Sequence, residues 1–352
     1  MNKRRFYIAM AVVVVMIATA LAGCSPASTS APAADSGKVK TIAEAQLEEL
    51  AARDVDHAGI DASQWVVGIS NEGVDHPSLV IMRDGIKEGL EAYGIKVLTT
   101  DGGGEVRNQV SGIEDMVANG ANFIIIQAAE AEPMKPTLNM LDEKGIPYMF
   151  AFKPILGTNA ISIVAVDNAV IGRQIGEAAV EDLTAKNGSP KGNVVIIEGI
   201  IGDETSELLC NNFRDVIKDY PEIKVIASVP AEYRRPQGFA VANDILSANP
   251  DPGSIDLIYG ANDDMAMGAV QAVEEAGRDG EGILIYGVDA CVEMWEMVRD
   301  GRATATWQFH TCVLESIDVA IAYMKGEPVP PEIVVYSAKV TQANHDTVLP
   351  AF

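Results

Sequence analysis

The sequence predicts an α/β protein with two doubly wound lobes, each built on a parallel sheet. The first observation is a regular alternation of apolar runs and amphipathic segments from Trp65 onward. The second is that residues 122–127 are apolar at every inner position, as in a parallel strand covered on both faces. The third is that the alternation restarts after residue 166. Strands that alternate with helices indicate parallel sheets, and two runs of similar size favour two lobes.

The first run begins with a predicted strand at residues 65–70 and a helix at residues 77–93. The apolar residues of this helix recur three or four positions apart and therefore share one face: Leu79, Met82, Ile86, Leu90 and Tyr93. The remaining predicted elements of the run are strands at residues 95–100, 122–127, 146–152 and 161–166, and helices at residues 106–117 and 134–144.

The second run is predicted in the same way. Its helices are at residues 170–183, 206–218, 236–246, 263–273, 291–298 and 312–325, and its strands at residues 193–198, 223–229, 255–259, 282–288, 303–307 and 333–340. Ligands of open α/β sheets bind at the carboxyl ends of strands, where Asn262 stands. Asn262 is therefore either a ligand residue or a helix cap, whereas Asp263 and Asp264 are expected to open the helix.

Residues 1–23 are predicted to be a signal peptide. Basic residues at positions 3–5 precede an apolar segment at residues 8–20, which is too short for a confident membrane span. The sequence Leu-Ala-Gly-Cys that ends at Cys24 resembles a bacterial lipobox, which implies cleavage before Cys24 and its lipidation. The alternative is an ordinary signal peptide that leaves Cys24 a free thiol. Residues 24–63 are expected to form a tether rich in Ser, Ala and Pro, followed by a short acidic helix.

Charge and cysteine content narrow the class of function. The net charge of −24 argues against a nucleic-acid partner and against binding to an anionic lipid surface. The cysteines after Cys24 are three in number, Cys210, Cys291 and Cys312, and no two of them have metal-ligand spacing. We therefore expect buried free thiols; the alternative, in an exported protein, is a disulfide between two of them. The sequence has no nucleophile-elbow, P-loop or H-E-x-x-H motif, and its histidines are far apart. We therefore expect no catalytic residue, no metal and no cofactor.

Polar residues follow the predicted strands of both runs, at the ends where ligands bind. With Tyr233 and Trp307 as aromatic neighbours, they would suit a polyhydroxylated ligand, because amides and carboxylates satisfy hydroxyl groups. The candidate ligand-binding residues are Asn71, His76, Gln127, Lys153, Glu207, Tyr233, Asn262, Asp289 and Gln308.

Two segments of the second run resemble a known family. Residues 262–269 (NDDMAMGA) and 286–289 (YGVD) resemble signatures of the type I periplasmic sugar-binding proteins, the ribose/galactose-binding group. Shorter similarities follow in matching order at residues 84–85, 122–127, 145–147, 167–168 and 199–202. The resemblance extends from about residue 65 to residue 340.

The resemblance implies two lobes joined by a three-crossing hinge, with a ligand in the cleft. It places crossings near Asp167, Gln308 and Val340. The N-terminal lobe would then be residues 64–166 with 309–338, and the C-terminal lobe residues 167–308 with 339–352. By position, it implies ligand contacts from Gln127 and Lys153 in the first lobe, from Asn262, Asp289 and Tyr233 in the second, and from Gln308 or Phe309 at a crossing.

Three departures from the family pattern bear on the ligand. Ser78 and Leu79 stand where the sugar binders have an aromatic pair, Phe152 and Lys153 replace an Asp-Arg pair, and Glu207 replaces a basic residue. Replacing an arginine fork by an acid changes both charge and geometry. The ligand is therefore expected to be a sugar other than ribose, a polyol, a cyclitol or an amino sugar.

The resemblance implies a monomeric solute-binding lipoprotein, anchored at the extracytoplasmic face of the cell membrane, that delivers its ligand to an ABC permease. The alternative is a receptor of the same fold that signals to a membrane kinase or chemoreceptor. A third hypothesis is an exported enzyme, which none of the catalytic motifs considered above supports.

Overall fold

The computed structural model describes residues 39–52, 59–73, 77–128 and 131–352. The predicted signal peptide, the lipidation site Cys24 and the candidate site residue His76 lie outside these residues. Within them, no helix combines the length and the apolar composition that crossing a membrane requires.

Six strands form the first sheet, and every neighbouring pair in it is parallel. The strands are β1 (Val66–Asn71), β2 (Lys96–Asp101), β3 (Phe123–Ile126), β4 (Tyr148–Ala151), β5 (Ile163–Val166) and β11 (Glu332–Val335). Their spatial order is β11, β5, β4, β3, β1, β2, so the central strand β3 is buried along its whole length. Burial on both faces explains why its sequence is uniformly apolar.

Four helices accompany this sheet: α2 (Pro77–Ala92), α3 (Val106–Ala118), α4 (Ala131–Lys144) and α10 (Val313–Met324). Helix α2 contacts α10, and α3 contacts α4 as well as strands β1 and β2. The apolar faces of α3 and α4 bury Ile113 and Leu141 against Ile124, Ile126 and Phe150. Burying apolar side chains in this way supplies most of the favourable free energy of folding.

Six strands also form the second sheet: β6 (Gly192–Glu198), β7 (Ile223–Pro230), β8 (Leu257–Gly260), β9 (Leu284–Asp289), β10 (Ala305–Gln308) and β12 (Lys339–Thr341). Their order is β12, β10, β9, β8, β6, β7, and only β12 runs antiparallel to its neighbour. The helices of this lobe are α5 (Asn168–Asn187), α6 (Glu204–Ile217), α7 (Arg235–Ala248), α8 (Asp263–Glu275) and α9 (Val292–Arg299). The prediction of two α/β lobes with parallel sheets is confirmed.

The chain passes between the two sheets three times. It leaves the first sheet after β5, returns after β10, and leaves again between β11 and β12. The single final strand predicted at residues 333–340 is therefore wrong. Residues 336–338 are not part of a strand, because the chain changes sheets there and reverses its direction relative to β10.

The acidic segment predicted after the tether forms helix α1 (Ile42–Ala52). This helix contacts α2 and α10. Its first turn also donates to the C-terminal segment, from Ile42 N–H to Pro350 O at 2.7 Å and from Ala43 N–H to Ala351 O at 3.2 Å. The Gln46 side chain accepts a hydrogen bond from the Thr311 hydroxyl at 3.1 Å. Helix α1 thus contacts helices of the first sheet, the second crossing and the C-terminus.

Candidate functional site

Two neighbouring strands of the first sheet end in fully buried amide side chains. Asn71 ends β1, and its amide nitrogen donates to the Gly73 carbonyl, while its Oδ1 has no partner among the described residues. Gln127 follows β3, and its backbone is bound on both sides, by the Ser70 carbonyl at 2.9 Å and by the Gln109 amide at 2.6 Å. Neither side-chain amide atom of Gln127 has a partner in the described part of the chain. An unbonded buried amide is costly, so these atoms are suited to a ligand.

Lys153, after β4, is neutralised within its own lobe. Its ammonium lies 3.1 Å from the Glu72 carboxylate and 5.8 Å from the centroid of the Phe152 ring. The side chain of Glu72 is 15% exposed and that of Lys153 31%, so the ion pair is largely shielded. The pair joins the loops after β1 and β4.

Tyr233 packs its ring onto the backbone of the second lobe. A Cβ added at Gly199 would lie 2.1 Å from the tyrosine Cζ, so only glycine leaves room there. The Tyr233 hydroxyl donates to the Asp203 carboxylate at 2.6 Å, and Asp203 also caps α6. Burial and the charge of Asp203 raise the pKa of Tyr233, so its hydroxyl stays a donor. Glu207, in the first turn of α6, is exposed.

Asn262 is both buried and engaged. Its Oδ1 accepts the Met265 N–H at 2.9 Å and so caps α8. Its amide nitrogen donates to the Tyr233 carbonyl at 3.3 Å, which ties the α8 terminus to the loop after β7. The helix cap that the sequence predicts as one alternative for Asn262 is therefore observed. The other alternative, a ligand contact, is compatible with it, because one N–H of the amide remains free to donate.

Asp289 ends β9 with its carboxyl group buried beside a second buried carboxyl group, that of Asp263. Asp289 Oδ2 is 3.4 Å from the Asp263 N–H, a long contact. Burial and then the neighbouring charge of Asp263 raise the pKa of Asp289 well above its ordinary value. Burial likewise raises the pKa of Asp263 to about 7. Two close, desolvated carboxyl groups do not ionise together easily, which is why the pKa of each is raised.

Gln308 has a different environment from the other candidates. Its amide nitrogen donates to the Leu349 carbonyl at 2.6 Å, and its Oε1 accepts the Ala338 N–H at 3.3 Å. One end of the amide thus binds the third crossing, at Ala338, and the other end binds the C-terminal segment, at Leu349. The Phe309 ring beside it meets Phe152 of the first lobe edge to face, with ring centroids 4.6 Å apart. This aromatic pair brings Lys153 and Asp289 to the same region, because the Phe309 N–H donates to the Asp289 carbonyl at 2.9 Å.

Trp307 is not the aromatic neighbour that the sequence suggested. It is fully buried and packs against Tyr286 with ring centroids 5.4 Å apart. Side chains alternate along a strand, so the residue between Thr306 and Gln308 points to the other face of the sheet. Sequence reasoning also missed the contributions of Glu72, Asp203 and Asp263. Helix-cap spacing before Ser206 could have revealed Asp203, whereas the other two depend on tertiary contacts.

The buried amides of the first lobe and the buried carboxyl groups of the second can bind hydroxyl groups without chemical change. Residues 67–328 match the family model of the periplasmic binding protein domain. The chain belongs to this family. Its relatives place it among the type I periplasmic sugar-binding proteins, which are solute-binding proteins and not enzymes.

Two relatives indicate how far this similarity extends. This periplasmic binding protein is 26% identical to the ribose import binding protein RbsB of Haemophilus influenzae, over 78% of this chain and 90% of the relative. It is 29% identical to the galactofuranose-binding protein YtfQ of Escherichia coli, over 70% of this chain and 77% of the relative. Helix α1 lies outside the residues that match the family model.

A solved structure shares the two-lobed fold. The fructose-binding periplasmic domain of a hybrid two-component system superposes with a TM-score of 0.70 at 28% identity. The similarity covers 80% of this chain and 92% of that domain.

Proposed function

We propose that this protein captures a small polyhydroxylated ligand between its two lobes and delivers it to an ABC permease. One observation carries the proposal: strands of both sheets end in buried polar groups whose hydrogen-bonding capacity is not filled within the described residues. Gln127 has two such amide atoms, and the Asp289 carboxyl group has one long contact. Sugar hydroxyls both donate and accept, so one ligand can satisfy both types of group. The relatives named for ribose and galactofuranose support the same ligand class.

The charges favour a ligand that is neutral or cationic. Lys153 is paired with Glu72, whereas Asp263 and Asp289 have no cationic partner among their described contacts. A phosphorylated or carboxylated sugar would meet the two buried carboxyl groups and a chain of net charge −24. The class therefore comprises neutral sugars, polyols, cyclitols and amino sugars.

The proposed contacts come from both lobes. Asn71, Gln127 and Lys153 would act from the first lobe, and Asn262 and Asp289 from the second. The Tyr233 ring and the exposed Glu207 would line the second lobe, and His76 remains a candidate outside the described residues. We assign Gln308 to the hinge, since both ends of its amide are bound to backbone.

The proposed lobes are residues 64–166 with 309–338, and residues 167–308 with 339–352. Ligand binding would close them by hinge rotation, as in other periplasmic binding proteins. The radius of gyration measured by small-angle X-ray scattering should then fall when ligand is added.

The proposed location is the extracytoplasmic face of the cell membrane, with a lipid on Cys24 after removal of residues 1–23. Two or more acyl chains hold a protein stably at a membrane surface. Replacing Cys24→Ala should release the protein from the detergent phase of a Triton X-114 partition. Equal partitioning of both proteins would rule out the lipid anchor and leave the ligand proposal intact.

A receptor function is the second candidate, favoured by the similarity to the periplasmic domain of a two-component system. The same ligand-induced closure would then be read by a membrane kinase or chemoreceptor. Uptake of labelled ligand by cells with and without the gene separates the two functions. Uptake that depends on this protein supports the permease, whereas unchanged uptake with a lost transcriptional response supports the receptor.

A thermal-shift screen of D-ribose, D-fructose, D-galactose, xylitol, myo-inositol and D-glucosamine tests the ligand class, because a bound ligand raises the melting temperature with its concentration. Calorimetry with the best compound should show at least about tenfold weaker binding for Asp289→Ala, since a buried ligand hydroxyl left without its hydrogen-bond partner costs about 1–3 kcal/mol. Asp300→Ala is the matched control, because Asp300 is a half-exposed carboxylate paired with Arg299. No stabilisation by any polyhydroxylated compound would contradict the proposal.

A further inference from the structure

The loop after β9 has an unusual backbone. Asp289 has a φ of 132° and Ala290 a φ of 53°, so two successive residues with side chains occupy a region that favours glycine. Backbone of this kind persists only where the surrounding structure holds it, and it is concentrated at functional sites. The same loop carries the Asp289 carboxyl group, so what holds the loop also places that group.

Neighbouring segments bind the loop backbone from three sides. Two hydrogen bonds join it to β10 and to the residue after β10: Phe309 N–H donates to Asp289 O at 2.9 Å, and Ala290 N–H donates to Thr306 Oγ1 at 3.1 Å. Two more join it to the C-terminus: Ala351 N–H donates to Ala290 O at 2.7 Å, and Val292 N–H donates to Phe352 O at 2.9 Å. The fifth partner is a side chain of α8.

That side chain is Asp263, which is 1% exposed. Its Oδ2 accepts the Cys291 N–H at 2.8 Å, and its Oδ1 accepts the Thr306 hydroxyl at 2.6 Å. Its own N–H points to Asp289 Oδ2 at 3.4 Å. Asp263 therefore contacts the loop backbone, the Thr306 hydroxyl that binds the same backbone, and the carboxyl group of Asp289.

The sheet leaves space for this carboxyl group. A Cβ added at Gly287 in β9 would lie 2.2 Å from Asp263 Oδ1, so any other residue there would displace the carboxylate. A buried carboxyl group is costly unless hydrogen bonds satisfy it, and here a hydroxyl and a backbone N–H do so. Opening a helix does not require a buried carboxyl group. The space left at Gly287 and the two hydrogen bonds therefore indicate that Asp263 has a further role.

We propose that Asp263 is a positioning residue for ligand binding: with Thr306 it holds residues 289–291 in their strained conformation and so aims the Asp289 carboxyl group at the ligand. This inference rests on the proposed function for its ligand but not for its geometry. Without the Asp263 carboxylate, the Cys291 N–H loses its acceptor and the loop can relax towards ordinary φ values, which moves Asp289.

Hydrogen exchange of the free protein tests the geometry without any ligand. In Asp263→Ala, peptides that cover residues 289–292 should exchange at least about tenfold faster than in the wild type, because local opening becomes easier. Asp264→Ala is the matched control: Asp264 is the next residue of α8, its side chain is 44% exposed, and it binds Arg235. Exchange in this control should match the wild type in the same peptides.

Calorimetry tests the consequence, with the sugar or polyol that stabilises the wild type most in the screen above. Affinity should fall at least about tenfold in Asp263→Ala and in Thr306→Val, and stay unchanged in Asp264→Ala. Thr306→Ser keeps the hydroxyl and should restore binding, which a loss of packing alone would not explain. Asp263→Asn keeps one acceptor for the Cys291 N–H and should restore it in part.

The outcomes separate the two proposals. If the wild type binds a compound and Asp263→Ala binds it equally well, or if the loop exchanges at the wild-type rate, the inference is wrong and the proposed function stands. If the wild type binds none of the compounds, the proposed function fails, and the exchange rates alone decide whether Asp263 holds the loop. If Asp263→Ala does not fold, Thr306→Val against Thr306→Ser decides.

Discussion

At the scale of the residue, single side chains in this protein serve the fold and the proposed site together. Asn262 caps α8 through its oxygen and reaches the Tyr233 carbonyl through its nitrogen. Asp203 likewise caps α6 and accepts the Tyr233 hydroxyl. Such residues cannot be assigned to structure or to binding by deletion alone. A substitution that keeps one hydrogen bond and removes the other is required.

Asn262 allows that separation. Asn262→Ala should lower the free energy of unfolding by about 1 kcal/mol, because the Met265 N–H loses its cap. Asn262→Ser keeps a capping oxygen and should stay within a few tenths of a kcal/mol of the wild type. We expect both variants to bind ligand at least about tenfold more weakly, as measured by urea unfolding and calorimetry. Wild-type affinity in the serine variant would remove Asn262 from the site.

The buried carboxyl pair should make stability depend on pH in a definite direction. Folding raises the pKa of Asp263 from 3.8 to about 7, so the folded state favours its proton. The stabilisation is complete below about pH 4 and is lost as the pH rises through about 7. The charge of Asp264 also raises the pKa of Asp263, and the charges of Asp263 and Asp264 raise that of Asp289, so all of these effects act in the same direction. The melting temperature should therefore fall less between pH 5 and pH 8 in Asp263→Asn than in the wild type, and equal slopes would contradict this.

At the scale of the element, the loops after β6 and β7 are packed onto one another through one glycine. Glu232 and Tyr233 have φ values of 56° and 59°, which turns the Tyr233 ring onto Gly199. The Gly199 N–H in turn donates to the Ser206 hydroxyl at 2.9 Å in the first turn of α6. The start of α6 and the loop before α7 are therefore held as a unit at the edge of the second sheet.

Gly199→Ala should disrupt that unit. The new Cβ would overlap the tyrosine ring, and overpacking of this kind costs about 1–3 kcal/mol. Urea unfolding should show this loss, and the intrinsic fluorescence of the folded variant should change as Tyr233 moves. Gly280→Ala is the control, since its Cβ would meet nothing within 4 Å and its φ is not in the positive region. Equal stability of the two variants would show that Tyr233 shifts freely.

At the scale of the whole molecule, both ends of the described chain meet beside the hinge. The C-terminal segment binds α1 through Pro350 and Ala351, and it binds the loop after β9 through Ala351 and Phe352. The Gln308 amide and the Trp295 indole donate to the carbonyls of Leu349 and Val348. One short segment therefore joins an N-terminal helix, a crossing and the loop that carries Asp289.

Removal of α1 should therefore destabilise the molecule. A chain that begins at residue 59 loses the buried Thr41, Ala43 and Gln46 and two backbone hydrogen bonds to the C-terminus. Its melting temperature should lie several degrees below that of a chain that begins at residue 39, because about 1 kcal/mol corresponds to a few degrees at this size. The comparison cancels any effect of residues 1–38. Identical melting temperatures would show that α1 contributes no stability.

Much of the fold could be predicted because its signals are local. Apolar runs predict the central strands. A capping side chain such as that of Asn262 or Asp203 binds an N–H only three residues away, so the start of a helix is also visible in the local sequence. Asp289 is predicted as a polar residue that ends an apolar strand, and the resemblance at residues 286–289 implies a ligand contact for it. Local patterns do not show which sheet a strand joins, so the sequence predicts one strand at residues 333–340, where the structure has parts of β11 and β12.

The sequence by itself determined the alternation of strands and helices, the two lobes and the polar strand ends at which a ligand is proposed to bind. Only the tertiary structure decided what those polar groups contact. It bound the Gln308 amide to the third crossing and to the C-terminal segment, paired Lys153 with Glu72, and buried Asp263 beneath the loop of Asp289. The physical reason is that helix caps and apolar periodicity act over a few residues. Burial and hydrogen bonding between Asp263, Cys291 and Thr306 join residues 28 and 43 positions apart, and packing alone brings them together.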